Sequence, residues 1–290
     1  MYATFQFQEL IDQALKEDIG TGDLSTRIFP ENLTGLAKLY AKQEGVVAGL
    51  VLVEGVFGRI DPRIQVNRLV KDGDTVKVGE GVLELAGPFC SILQGERTAL
   101  NFLQHLSGIA TATKRAVDLV EGLPVRIVDT RKTLPGWRSL QKYAVRVGGG
   151  QNHRFGLYDA VMLKDNHLAA AGGLTEAVER IRAQVGHMTK IEVECETIEQ
   201  VKEAIFCGVD VIMLDNMEIE EMREAVRYID KRTIVEASGG MGEERLRAVA
   251  ETGVDLISIG ALTHSVKALD FSLDLGEIKA TTRKNWERGI

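Results

Sequence analysis

Three segments of the chain share one grammar: GLYDAVML (156–163), GVDVIML (208–214) and GVDLISI (253–259). Each opens on glycine, passes an aspartate and enters a short, mainly apolar run. A strand with one face in water alternates apolar and polar residues, whereas these runs do not, so they suit strands covered on both faces. Helical stretches such as 174–185 and 220–229 fall between them. A repeated strand–helix unit implies a parallel sheet with helical crossovers. Candidate strands lie at 125–130, 159–164, 191–195, 210–215, 233–238 and 255–260. Polar residues gather after every one of them rather than at one switch point, which favours an α/β barrel over a doubly wound sheet. Six units fall short of the eight of a full barrel, so the barrel is expected to be incomplete or closed by another element.

In a parallel barrel the functional face lies at the carboxyl ends of the strands. The run AVML (160–163) there meets Lys164, Asp165, Asn166 and His167. Around the same rim stand Arg131, Lys132, Glu194, Asp215 and the loop Ser238-Gly239-Gly240. Arg138, His153 and Arg154 add to the basic set, with Arg97 coming from the preceding helical region. Arginine offers a planar fork to carboxylate or phosphate, and lysine a point charge, so this rim suits a polyanion. Glu194 and Asp215 oppose it, and two carboxylates beside an anion site suit a divalent metal shared with phosphate. Taken singly, each residue has a plainer reading. An Arg or Lys is usually a solvated charge, and Gly148-Gly149-Gly150 is usually a flexible loop. His153 could be a satisfied core histidine, and of Glu192, Glu194 and Glu196 at least one should face water. Convergence at strand ends is what lifts the joint reading above these.

The first third of the chain follows other periods. Leu10, Ile11, Ala14, Leu15 and Ile19 recur at helical spacing before Gly20 and Gly22 end the pattern. Residues 38–49 and 76–87 read as short strands with glycine turns, and 72–85 as a β-hairpin. The latter also resembles the hammerhead turn of biotinyl carriers, but no lysine sits at an exposed tip. Residues 95–120 read as a long helix with Leu100, Leu103, Leu106 and Ile109 inward. A hydrophobic fraction of 44% suits a packed core, and a formal charge of -7 argues against a general nucleic-acid or membrane-surface binder. Cys90, Cys195 and Cys207 lack metal-ligand or redox spacing and read as small hydrophobes in a reducing compartment. With no secretory signal or membrane span in the sequence, a cytoplasmic location is expected.

Several long motifs resemble the quinolinate phosphoribosyltransferase family: DTRKTLPGWR (129–138), GGGQNHRFGLYDAVMLKDNH (148–167) and GERTALNFLQ (95–104). LKEDIGTGDLST (15–26), IEVECE (191–196), LDN (214–216), ASGG (237–240) and LTHS (262–265) extend the resemblance over nearly the whole chain. Leu134 and Trp137 depart from residues the family often carries, without removing a charge. The resemblance implies the type II phosphoribosyltransferase fold: an N-terminal α/β sandwich over 1–110, joined by 268–290, and an incomplete α/β barrel over 111–267. It implies phosphoribosyl transfer from phosphoribosyl pyrophosphate to quinolinate with loss of CO2, using Mg2+, in NAD biosynthesis. Arg97, Arg131, His153, Arg154 and Lys164 then fall on the quinolinate pocket with Lys132 beside them. Glu194 and Asp215 fall on the ribose and metal side, and Lys132, Glu194 and Asp215 are the expected catalytic groups. Ser238, Gly239, Gly240 and Gly260 fall on phosphate loops, where backbone N–H groups can approach an anion. A homodimer is also implied, with Arg97 delivered to the partner's site.

Three rival functions differ in what they demand. A related transferase acting on nicotinate needs fewer cations than a dicarboxylate requires. A Schiff-base aldolase would use Lys164 as a desolvated amine. A non-catalytic anion binder would bind without releasing pyrophosphate.

Overall fold

Two of the three aspartates that open the repeated strands, Asp210 and Asp255, have a common task, whereas Asp159 accepts from the Phe155 and Gly156 N–H groups of its own loop. In the computed structural model, which describes residues 4–30 and 32–280, Asp210 accepts from the Ile191 N–H at 2.9 Å and Asp255 from the Val235 N–H at 2.8 Å. Each carboxylate takes a donor at or next to the start of the neighbouring strand, and so helps set the stagger between units. The main chain reinforces the clip: the Asp210 N–H donates to Ile191 O and the Asp255 N–H to Val235 O.

In chain order the elements are α1 (Thr4–Ile19), β1 (Leu33–Ala41), β2 (Gly45–Val46), α2 (Leu50–Ile60), β3 (Gln65–Arg68), β4 (Thr75–Val76), β5 (Gly81–Pro88) and α3 (Phe89–Leu119). There follow β6 (Arg126–Val128), α4 (Arg138–Val147), β7 (Val161–Leu163), α5 (Asp165–Ala171), α6 (Leu174–Arg182), β8 (Ile191–Cys195), α7 (Ile198–Phe206) and β9 (Val211–Asp215). The last are α8 (Ile219–Ile229), β10 (Ile234–Ser238), α9 (Glu243–Ala250), β11 (Leu256–Ser258), α10 (Ala261–His264) and β12 (Phe271–Ala280).

These elements divide into two compact units. The first holds the described residues of Met1–Thr111, Ser139–Gly148 and Val266–Ile290; the second holds Ala112–Arg138 and Gly149–Ser265. Residues 139–148 group with the first unit although they lie within the 111–267 span expected for the barrel.

In the first unit an antiparallel sheet runs β12-β1-β5-β3. β12 arrives from the far end of the sequence and pairs with β1, Ala41 opposite Phe271. Alternation along β1 buries Leu33, Ala37, Leu39 and Ala41 on one face. The hairpin expected at 72–85 does not form. β4 pairs with β2, while both edges of β5 are taken by β1 and β3. Within α3, Gly108 allows a close backbone approach: a Cβ there would sit 2.4 Å from the Lys267 carbonyl oxygen.

The second unit is a six-stranded parallel sheet in the order β6-β11-β10-β9-β8-β7. β6 and β7 end the order, and among the described residues they do not pair with each other, so the barrel is incomplete. Gln151 covers part of the β6 edge, donating to Ile127 O and accepting from the Asp129 N–H. Val193, Ile212, Leu214, Ala237 and Ile257 are fully buried in these strands. Removing each from water contributes on the order of 1–3 kcal/mol. The crossover helices turn narrow apolar faces inward, as with Met222, Ala225 and Ile229 of α8. The start of α7 is fixed by a reciprocal cap, Thr197 accepting from the Gln200 N–H and Gln200 from the Thr197 N–H, each at 3.2 Å. No described helix is long and apolar enough to cross a membrane.

Candidate active site

Register decides which side chains meet. Met213 of β9 lies opposite Glu194 of β8 on one side and Glu236 of β10 on the other. One row across three adjacent strands therefore carries two carboxylates flanking a thioether. Above that row, at the carboxyl ends of the strands, opens a cleft of about 590 Å3. Of the residues singled out in the sequence, Arg131, Lys132, His153, Arg154, Lys164, Glu194, Asp215, Ser238, Gly239 and Gly240 all line it. Gly260 instead lines an adjoining cavity of about 290 Å3, which shares Lys132 and the 238–240 turn and adds His264. Two basic residues lie elsewhere. Arg138 spends its guanidinium on the Thr133 hydroxyl at 3.0 Å and the Phe155 and Arg131 carbonyls at 3.0 and 3.4 Å, bracing the loop rather than the cleft. Arg97 is exposed on α3 in the first unit.

The cationic wall carries charge it does not neutralise itself. The Arg131 Nε is buried without a hydrogen-bond partner. Burial, and then the charge of Arg131, hold the Arg154 guanidinium below its ordinary pKa. Arg154 places one N–H on the Ala160 carbonyl at 2.8 Å, which orients the fork. Buried donors without acceptors cost free energy unless a ligand completes them. Two half-buried guanidiniums pressed together are stabilised by an anion placed between them.

On the opposite wall the Lys164 ammonium is ion-paired with the Glu194 carboxylate. Asp215 accepts through Oδ2 from the Asn216 side-chain amide at 2.7 Å, and its Oδ1 has no partner among the described residues. Carboxylate oxygens at strand ends are the donor set a hard divalent cation takes.

At the floor of the cleft lies a cluster whose pairing the sequence reading missed. The His153 Nε2 is 3.2 Å from Glu192 and 3.3 Å from Glu236, and both glutamates are buried. In the neutral ring the Nδ1 accepts from the Arg154 backbone N–H at 2.7 Å and the one ring proton sits on Nε2, between the two carboxylates. The imidazolium carries a proton on both nitrogens and gives up that bond. Burial works against charge on this ring, but Glu192 and Glu236 outweigh it and raise the imidazole pKa to about 10. Burial, and after it the charge of Glu236, raise that of Glu192 in spite of His153. His153 and Glu192 thus hold protons more tightly than they would free in water. Below them, Asp129, with no exposed surface, accepts from the His153 N–H at 2.9 Å and the Asn152 amide at 2.6 Å. His153, Glu192 and Glu236 are also the three side chains among the described residues whose ligand atoms lie close enough together for a metal. That set contains neither Glu194 nor Asp215. Both ring nitrogens of His153 therefore face protein groups. Glu236, Thr130, Met162, Met213, Asn216 and Ser258 complete the lining. For Glu236 a signal existed: a lone charge inside the apolar strand IVEAS (234–238).

The family described as "Quinolinate phosphoribosyl transferase, N-terminal domain" matches residues 23–107, and its C-terminal counterpart matches residues 109–274. A probable nicotinate-nucleotide pyrophosphorylase [carboxylating] of Bacillus subtilis is 48% identical over 270 residues, covering 93% of each chain. A mitochondrial quinolinate phosphoribosyltransferase [decarboxylating] of Nicotiana glauca is 41% identical, covering 94% of this chain and 83% of its own. The crystal structure of NadC from Streptococcus pyogenes superposes with a TM-score of 0.92 at 42% identity, covering 96% of this chain and 99% of that one.

Proposed function

The chain belongs to the quinolinate phosphoribosyltransferase family, and from that premise we propose that its barrel cleft joins quinolinate to the ribose of phosphoribosyl pyrophosphate. The products are nicotinate mononucleotide, CO2 and pyrophosphate, a step of de novo NAD biosynthesis. The observation that carries the reading is the split of charge across one cleft: Arg131 and Arg154 on one wall, Asp215 and the Lys164-paired Glu194 on the other. Adjacent carboxylates on a pyridine ring need several cations, and the two guanidiniums are the groups left short of counter-charge.

In this reading Arg131 and Arg154 grip the dicarboxylate, and Lys164 shares itself between substrate and Glu194. His153 acts from the floor of the cleft, held between Glu192 and Glu236. Glu194 and Asp215 face the ribose, where positive charge develops as the bond to pyrophosphate breaks. Lys132 and the Ser238–Gly240 turn, with Gly260 in the adjoining cavity, hold the phosphates of cosubstrate and leaving group. Asp215 and Glu194 would hold Mg2+, which would supply neutralisation of the pyrophosphate. The electron pair of the breaking bond leaves with pyrophosphate, and the pyridine nitrogen attacks the ribose carbon. The ring nitrogen becomes cationic and stabilises the electron pair left on the ring carbon when the adjacent carboxylate departs as CO2. The ring carbon then takes a proton from water. The side chains contribute position and electrostatics rather than acid–base exchange.

Arg97, exposed on α3, belongs in this reading to the cleft of a second copy of the chain, giving a homodimer with shared sites. Cys90, Cys195 and Cys207, none of them in a disulfide among the described residues, support a reducing, cytoplasmic setting. The test is a stoichiometry. With Mg2+, phosphoribosyl pyrophosphate and carboxyl-labelled quinolinate, pyrophosphate and labelled CO2 should appear one for one. Pyrophosphate without CO2 would point to another acceptor.

A further inference from the structure

β9 ends on Asp215, and the next residue departs from ordinary backbone. Asn216 has φ of 55°, in the left-handed region that non-glycine residues seldom enter and asparagine enters more readily than most. Such conformations persist where their surroundings over-determine them. Three contacts do so here. The Asn216 N–H donates to the Ser238 carbonyl at 3.1 Å. Its side-chain amide donates to Asp215 Oδ2 at 2.7 Å. Its Oδ1 lies where a Cβ on Gly239 would be, 2.1 Å from that position, and Gly239 itself has φ of 89°. Neighbouring side chains on an extended strand point to opposite faces, so the residue after Asp215 would ordinarily turn away from its carboxylate. The left-handed turn brings the two together.

We propose that Asn216 is a positioning residue: it fixes the Asp215 carboxylate by engaging Oδ2 and leaving Oδ1 to a ligand, and by occupying the space over Gly239 it fixes the turn after β10. The acidic side of the cleft and its phosphate turn then keep one spacing, set by a single amide. The inference rests on the phosphoribosyl-transfer reading, since it matters only where a ribose and its phosphates span both features. It extends that reading to a group with no charge to lose.

Two substitutions separate the parts. Asn216→Gly keeps the left-handed backbone, which glycine enters freely, and deletes the amide. Asn216→Asp keeps the shape and sets a like charge against Asp215. Loss of one hydrogen bond to a charged group predicts that Asn216→Gly lowers kcat about tenfold, with KM for quinolinate changed by less than about twofold. Asn216→Asp should fall further. Calorimetric titration with phosphoribosyl pyrophosphate and Mg2+ should show weaker binding in both variants, at a melting temperature close to wild type for Asn216→Gly. In an Asp215→Asn background the glycine substitution should cost less than about twofold more, because the group it positions has gone. A full tenfold loss in that background would mean that Asn216 acts on the ligand directly, and would overturn the positioning role, as would wild-type kcat in Asn216→Gly. Wild-type pyrophosphate release on quinolinate is measured first. Its absence counts against the reaction assigned to the cleft, whereas release with an unaffected Asn216→Gly counts against Asn216 alone.

Discussion

Replacing Arg154 by methionine keeps the apolar stem of the side chain and removes its charged fork. Arg154 stands half-buried beside Arg131, one N–H on the Ala160 carbonyl at 2.8 Å. A carboxylate about 4 Å from such a guanidinium gains roughly 4 kcal/mol at an effective dielectric near 20. The cleft opens to water, and removing Arg154 also relieves the repulsion on Arg131, so about half of this should survive. A loss of about 2 kcal/mol raises the dissociation constant for quinolinate about 30-fold. The bond to Ala160 contributes roughly 1 kcal/mol of stability, so the melting temperature should fall by only about 2–4 °C. Calorimetry with quinolinate on wild type, Arg154→Met and Arg154→Lys reads the effect, the lysine variant falling between the others because it keeps the charge and loses the fork. Quinolinate binding by Arg154→Met at wild-type strength would refute the assignment of this wall to the dicarboxylate.

Other consequences reach beyond that wall. Gly108→Ala would normally help a helix, yet its Cβ would meet the Lys267 carbonyl at 2.4 Å; a net loss of about 1–3 kcal/mol is expected, and a raised melting temperature would contradict the packing. The His153 pKa is raised in the folded state to about 10, so the stability it contributes is complete below the unfolded value near 6.5 and is lost as pH rises through 10. Urea midpoints between pH 6 and 10 should therefore fall more steeply in wild type than in Glu236→Gln, and parallel slopes would contradict the cluster. Mixing inactive Arg97→Ala and Lys164→Ala chains should restore activity once subunits exchange, whereas verified exchange without recovery would assign Arg97 to its own subunit.

The barrel was legible because its period is local. Each repeat carries its glycine, its aspartate and its apolar run in one short stretch, and Asp210 and Asp255 act within one strand of their own. Lys164, Glu194 and Asp215 were legible for the same reason, as charges that end buried strands. What escaped depends on partners distant in sequence. Glu192 and Glu236 are acceptable inside strands only because His153 stands between them. Arg138 counted as a rim cation until its fork met the Phe155 carbonyl. The glycine turn at 77–80 predicts a hairpin, but β5 already has a strand on each edge, and β4 finds β2. Asn216 gave no sign, since nothing in the letters LDN announces a positive φ.

The most direct measurement compares two acceptors on the unaltered protein. Pyrophosphate release is followed with phosphoribosyl pyrophosphate and Mg2+, and kcat/KM is obtained for quinolinate and for nicotinate. A site built to hold two adjacent carboxylates leaves cations unpaired when one carboxylate is missing, at a cost of several kcal/mol, so quinolinate should win by about a thousandfold or more. Equal values, or a preference for nicotinate, would mean that the cations of this cleft serve something other than the second carboxylate.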